Sequence, residues 1–200
     1  LLNREQEVAI SKRIEKSESE TRKILARFGF IPDAYLDMAS RLEQGDERFD
    51  RLILDKKIES RTRYLKNLEK LREQVASLRD KLTETYVELR DPKTETPSQK
   101  LIDAWEKCHA ELAKAYSRFY FKQRVTEDLV AHTEAFAVRS AALSAQIATS
   151  VERKDKTDAA KAKAAFEKEV WMTQEEFDRL ARSLREQVEE ARKAKDEMVE

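Results

Sequence analysis

Leu65-Lys-Asn-Leu68-Glu-Lys-Leu71-Arg-Glu-Gln-Val75-Ala-Ser-Leu78-Arg-Asp-Lys-Leu82-Thr-Glu-Thr-Tyr86-Val-Glu-Leu89 spaces its large apolar residues three and four apart throughout. That spacing lays one apolar stripe along a helix, the pattern of a coiled-coil seam. No Gly or Pro interrupts the chain from Glu47 to Arg90, and Leu54 and Ile58 extend the stripe backwards. The reading predicts one helix on the order of 65 Å long at ~1.5 Å per residue. Asp91-Pro92 ends it, and Lys93 to Pro97 forms a short polar connector.

Ser98 is placed to cap a second long helix. Its stripe runs through Ile102, Trp105, His109, Leu112, Tyr116, Phe119, Leu129, Phe136, Leu143, Ile147 and Val151. Two striped helices joined by a short loop bury their stripes against each other as an antiparallel hairpin. Its tip lies near residues 91–98.

Outside the hairpin the elements are shorter. Asn3-x-x-Gln6 is an amide relative of the capping box and opens a helix through Val8, Ile10, Ile14, Ile24, Leu25 and Phe28. Gly29 supplies a stop, and Asp33 is the expected N-cap of a short helix ending near Gly45. Residues 152–165 are rich in Lys, Ala and Asp, and are open to reading as a solvated helix or a frayed link. Thr173-Gln-Glu-Glu176 is a capping box that starts a last helix bearing Phe177, Leu180, Leu184 and Val188. The fold class is therefore all-α: a long, coiled-coil-like antiparallel hairpin packed with shorter N- and C-terminal helices.

Composition agrees. Forty Lys+Arg balance forty Asp+Glu, and Gly occurs only twice in 200 residues. Strand-and-turn folds and phosphate-cradling glycine loops cannot be built from so little Gly. Zero net charge argues against a general nucleic-acid or membrane binder, while leaving room for one local contact. The single cysteine, Cys108, allows no intramolecular disulfide, and no run of apolar residues is long enough for a membrane span. Leu1-Leu2-Asn3-Arg4-Glu5 lacks the features of a signal peptide and reads as the start of a piece of a longer protein.

Few residues suggest chemistry. Glu106-Lys-Cys-His109 has the spacing used in di-iron bundles, but no second such step accompanies it, so His109 reads as a seam residue. Cys108 reads as a packing cysteine. Tyr116, Phe119, Tyr120 and Phe121 alternate with Arg118, Lys122 and Arg124, a pattern compatible with base stacking but also with core aromatics flanked by snorkelling cations. No catalytic constellation, metal site or cofactor site is assigned.

The two ends carry a resemblance. Leu1-Leu-Asn-Arg-Glu-Gln-Glu-Val-Ala-Ile-Ser-Lys-Arg-Ile-Glu15 resembles the later part of region 1.2 of bacterial primary sigma factors, with the pattern L-L-T-R-E-x-E-I-x-[IL]-A-[KR]-[RK]-I-E. Thr173 to Glu190 and Ala191-Arg-Lys-Ala-Lys-Asp-Glu-Met-Val-Glu200 are similar to the helix leading into region 2.1. Asn3 stands where the family has Thr, and Ser11 where it has Ala. The resemblance implies residues 1–45 as the end of region 1.2 with a following short helix. Residues 46–170 become the insertion between the conserved regions, and 171–200 the approach to region 2.1.

It further implies a cytoplasmic fragment of a protein that directs bacterial RNA polymerase to promoters. Region 1.2 of the family helps to bind the non-template strand just downstream of the −10 element, at the discriminator. By the same resemblance Glu7 would line a pocket for a flipped base, and Arg4, Lys12 and Arg13 would face backbone phosphates. The implied partners are the polymerase core, through its β′ subunit, and promoter DNA in the full-length protein. The family's upstream discriminator-contacting stretch would precede Leu1, and its main core-binding and −10-reading segments would follow Glu200. No cofactor, membrane or small-molecule substrate is implied. The rival reading is a generic coiled-coil adaptor or tether with no nucleic-acid role.

Overall fold

A computed structural model describes residues 2–199. It is helical nearly throughout, with one isolated antiparallel bridge between Ile53 and Phe121 among the described residues. Helix α1 spans Arg4–Leu25 and is opened by the expected box, with the Asn3 and Gln6 side chains each accepting from the other's backbone N–H at 2.9 Å. Helix α2 spans Ile31–Gln44. Its N-cap is Phe30 rather than Asp33, because Pro32 already sits inside the first turn, where a missing N–H costs nothing. Gly45 closes α2 in the left-handed conformation, φ 77°.

The first arm of the hairpin starts later than its stripe suggests. After a four-residue helix α3, Phe49–Leu52, and a 3₁₀ turn at Asp55–Lys57, helix α4 runs Arg61–Leu89. Ser60 caps it by accepting from Arg63 N–H. The buried face is Tyr64, Leu68, Leu71, Val75, Leu78, Leu82 and Tyr86, so Tyr64 takes the first seam position and Leu65 lies beside it, half-buried. Leu54 is outside the helix and exposed.

Helix α5, Gln99–Ser117, returns antiparallel to α4 from the expected Ser98 cap. Cys108 lies against the Leu78 carbonyl, and Arg118, just past α5, reaches Gln74 at 3.0 Å. The second arm then breaks at residues 118–122, where a single long helix was expected. Tyr120 turns the backbone with φ 53°, and its carbonyl accepts from Leu54 N–H while Lys122 N–H donates to the Leu52 carbonyl. These backbone partners come from the segment before α4, so the aromatic cluster is gripped from outside its own helix. The Tyr64 hydroxyl donates to the Phe119 carbonyl at 2.8 Å and pins the same break. Tyr64→Phe is expected to cost about 1 kcal/mol of stability, since a buried acceptor loses its donor, as read from the urea midpoint.

Helix α6, Gln123–Thr149, is buried along Val125, Leu129, Thr133, Phe136 and Ser140. The stripe does not continue: Leu143 is only half-buried, and Ile147 and Val151 are exposed. Residues 153–170 are an ordered helix, α7, which folds back along α6 and ties Glu169 to Arg139 at 2.8 Å. Helix α8, Gln174–Val199, starts where Thr173 accepts from Glu176 N–H, as the box predicts.

α8 packs antiparallel to both α1 and α6. Phe28, just beyond α1, meets Phe177 at 5.3 Å between ring centroids, and further along α8 Arg13 meets Glu190. On the α6 side, Arg185 pairs with Glu134 and Ser140 donates to Asp178 at 2.6 Å. The fully buried rings of Phe28, Phe119, Phe166 and Phe177 belong to one core that every long helix enters. One backbone crossing and one side-chain bond tie elements together at this core. Gly29 N–H donates to the Val170 carbonyl at 3.1 Å, and the Trp171 indole N–H donates to Thr83 of α4 at 3.1 Å. Gly29 thus serves as a contact point with the α7–α8 turn, whereas α1 itself ends at Leu25 with Ala26 as its cap.

Candidate functional site

Arg4, Glu7, Lys12 and Arg13 all lie on α1, but they do not form one face. At ~100° per residue Arg4 and Glu7 share a side, and Arg13 emerges about half a turn from Arg4. Arg4, Glu7 and Lys12 are exposed. Arg13 is turned to α8, where its guanidinium donates to Glu190 at 2.7 Å and to Glu197 at 2.6 Å. The bonds from Glu197 and then Glu190 hold Arg13 even more firmly in its charged form, and the same contact lowers the Glu197 carboxyl. Lys195 and Glu18 add a neighbouring pair across α1 and α8 at 2.8 Å. A side chain so occupied is a strut between two helices, and Arg13 must give up two carboxylates to meet a phosphate.

His109 is 4 % exposed, and both of its ring nitrogens lack hydrogen-bond partners. It stands edge-on to Trp105 at 4.5 Å and to Trp171 at 5.6 Å. Burial, reinforced by the Arg27 charge, pushes its pKa down to about 4; the weaker opposing pulls of Glu106 and of the Ala26 backbone do not restore it. Glu106 is engaged elsewhere, bound by both terminal nitrogens of Arg27 at 3.1 and 3.2 Å, which lowers its own pKa. Among the described residues no three His, Cys, Asp or Glu side chains gather as a metal-binding group. Cys108 is buried and its thiol is raised by that burial, the opposite of an activated thiolate. His132 lies at the surface beside Phe30 and Phe136, edge-on to both at 5.5 Å.

The interleaved aromatic and basic residues separate in space. Phe119 is wholly buried, Lys122 donates to the Asp50 carbonyl, and Arg118 is held by Gln74. Tyr116, Tyr120 and Phe121 instead line a cleft of about 590 Å³ together with Tyr35 of α2. The cations of that cleft are Arg22 and Lys23 near the end of α1 and Lys57 of the 3₁₀ turn. Sequence reasoning missed them because they lie far from the aromatics along the chain and follow no local pattern.

No protein-family model matches the chain. No helix of the described residues is long and apolar enough to cross a membrane.

Proposed function

We propose that this chain is a fragment of a bacterial primary sigma factor, spanning the end of region 1.2, the insertion and the approach to region 2.1. One observation supports the reading above the others. The two segments that carry the resemblance, far apart in sequence, lie on α1 and α8 and pack antiparallel along each other, tied by Arg13 to Glu190 and Glu197. The reading needs two family regions separated by an insertion to come together, and α1 and α8 do so. The helices between them then form a body attached to a common stem, available to touch the β′ subunit of the polymerase core. Arg4, Glu7 and Lys12 stay exposed on α1, as a role beside promoter DNA requires. In this reading the protein acts by binding and has no chemistry of its own.

The test uses the complete gene product, purified bacterial core polymerase and a labelled non-template strand spanning the −10 element and discriminator. The complete protein is expected to bind core and to prefer one base downstream of the −10 element. Glu7→Ala should reduce that preference about tenfold, the worth of a single base-edge contact. Failure to bind core overturns the sigma reading. Equal affinity of wild type for every downstream base overturns the role of Glu7.

A further inference from the structure

The cleft between α1, α2, α5 and the break at residues 118–122 has the make-up of an anion site. In a chain where forty of 200 residues are acidic, none of the residues that line it is Asp or Glu. Three cations reach it, and two of them have no carboxylate partner among the described residues. Lys23 is paired with Glu20 at 2.7 Å, whereas the nearest polar partner of Arg22 is the Gln123 amide oxygen at 3.5 Å, and Lys57 forms no ion pair. Arg13, Arg27, Arg79, Arg139 and Arg185 are matched by carboxylates, whereas among the described residues Arg22, like Arg4 and Arg124, is not, and Arg22 alone of these three lines the cleft. Unmatched cations beside a concave wall concentrate positive potential there.

The walls are aromatic. Tyr35 stacks on Tyr116 at 4.2 Å and lies 5.2 Å from Phe121, while Tyr120 remains 39 % exposed at the mouth. Tyr120 is also one of two non-glycine residues with positive φ among the described residues, at 53°. A bulky residue adopts that conformation only where its surroundings impose it, and such positions gather at binding sites. Here the turn leaves Tyr120 at the surface beside a wholly buried Phe119. The Tyr116 hydroxyl is buried without a hydrogen-bond partner, so the wall holds an unmet polar group. A volume of about 590 Å³ falls within the range of small-molecule sites.

We infer that this cleft binds a nucleotide unit, its aromatic ring against Tyr35, Tyr120 and Phe121 and its phosphate on Arg22 and Lys57. Arg22 supplies a planar fork suited to phosphate oxygens, and Lys57 supplies a point charge from a separate element. The rings give stacking surface that any base can use. The same chemistry has two sources, a free nucleotide or one nucleotide of a single strand. Lys57 and Tyr120 also line an adjoining groove with Arg118 and with Arg63, the latter paired with Glu59 of the same groove, so a strand continuing that way meets one carboxylate.

Isothermal titration of the whole chain with ADP, adenosine and inorganic phosphate tests the site. ADP is expected to bind at least about tenfold more tightly than either part alone, because ring and phosphate contacts combine. Arg22→Gln and Lys57→Gln should each weaken ADP by about tenfold. Both residues are exposed, so the thermal midpoint should stay put. Lys93→Gln, at the distant hairpin tip, should leave binding unchanged. Single-stranded oligonucleotides of about ten residues form the second arm. Tighter binding than ADP, lost in the same two variants, assigns the site to a strand; weaker binding than ADP assigns it to a free nucleotide. Absence of ADP and oligonucleotide binding at millimolar ligand overturns the inference. So does binding that neither Arg22→Gln nor Lys57→Gln weakens.

Discussion

Gly29→Ala is expected to lower the free energy of unfolding by about 2–3 kcal/mol, the scale of an overpacked core contact. A Cβ at this position would stand 2.3 Å from the Glu169 carbonyl oxygen and 2.7–2.8 Å from the Trp171 ring. Neither neighbour can yield cheaply. The carbonyl belongs to the last turn of α7, and the indole is held by Thr83 and flanked by Trp105 and His109. The chain must therefore separate at the crossing, which also stretches the Gly29 N–H bond to Val170. Urea titration followed by far-UV circular dichroism reads the effect as a lower midpoint with helix content retained below it. An unchanged midpoint would show that the crossing can open without cost. Gly45→Ala is a useful contrast, since it meets nothing in space and suffers only from its φ of 77°.

The second large effect is a loss of stability on acidification that traces to His109. In the folded protein its pKa lies at about 4, and in the unfolded chain near the ordinary 6.5. Between those values the unfolded state binds a proton that the folded state refuses. Stability therefore falls as pH drops from about 6.5 towards 4, by about 3 kcal/mol in full. His109→Phe keeps an aromatic ring between Trp105 and Trp171 and has no proton to bind. The difference in unfolding free energy between wild type and variant should shift in favour of the variant as pH falls from 7 to 5. Carboxylates such as Glu106 and Glu197, whose pKa values lie below the ordinary range, contribute at lower pH and are common to both proteins. Parallel pH profiles for the two proteins would remove His109 as the cause.

Much of the fold can be read from local signals. The all-α class follows from scarce Gly and Pro together with the three-and-four spacing of Leu68, Leu71, Val75, Leu78 and Leu82, all of which are buried. Asn3, Ser98 and Thr173 mark helix starts because a side-chain cap is completed within one turn. The antiparallel α4–α5 pairing and the tip near 91–98 follow from a short polar link between two stripes. Spacing alone overreaches where the stripe persists but its partner does not: Leu54, Ile147 and Val151 fit the period and remain exposed.

What the sequence determined by itself was thus the kind of element, the side-chain caps and the stripe that builds the hairpin, because each depends on residues within a turn or two of one another. The tertiary structure alone decided the break at Tyr120, where Leu52 and Leu54 supply backbone partners to a segment with no Gly or Pro to announce it. It alone brought Arg13 onto Glu190 and Glu197, across more than 170 residues of chain. It alone set Arg22 and Lys57 beside Tyr35, Tyr120 and Phe121. The physical reason is common to all three. Periodicity and capping are properties of one helix, whereas strain, ion pairing and clefts arise between elements whose separation along the chain carries no local mark.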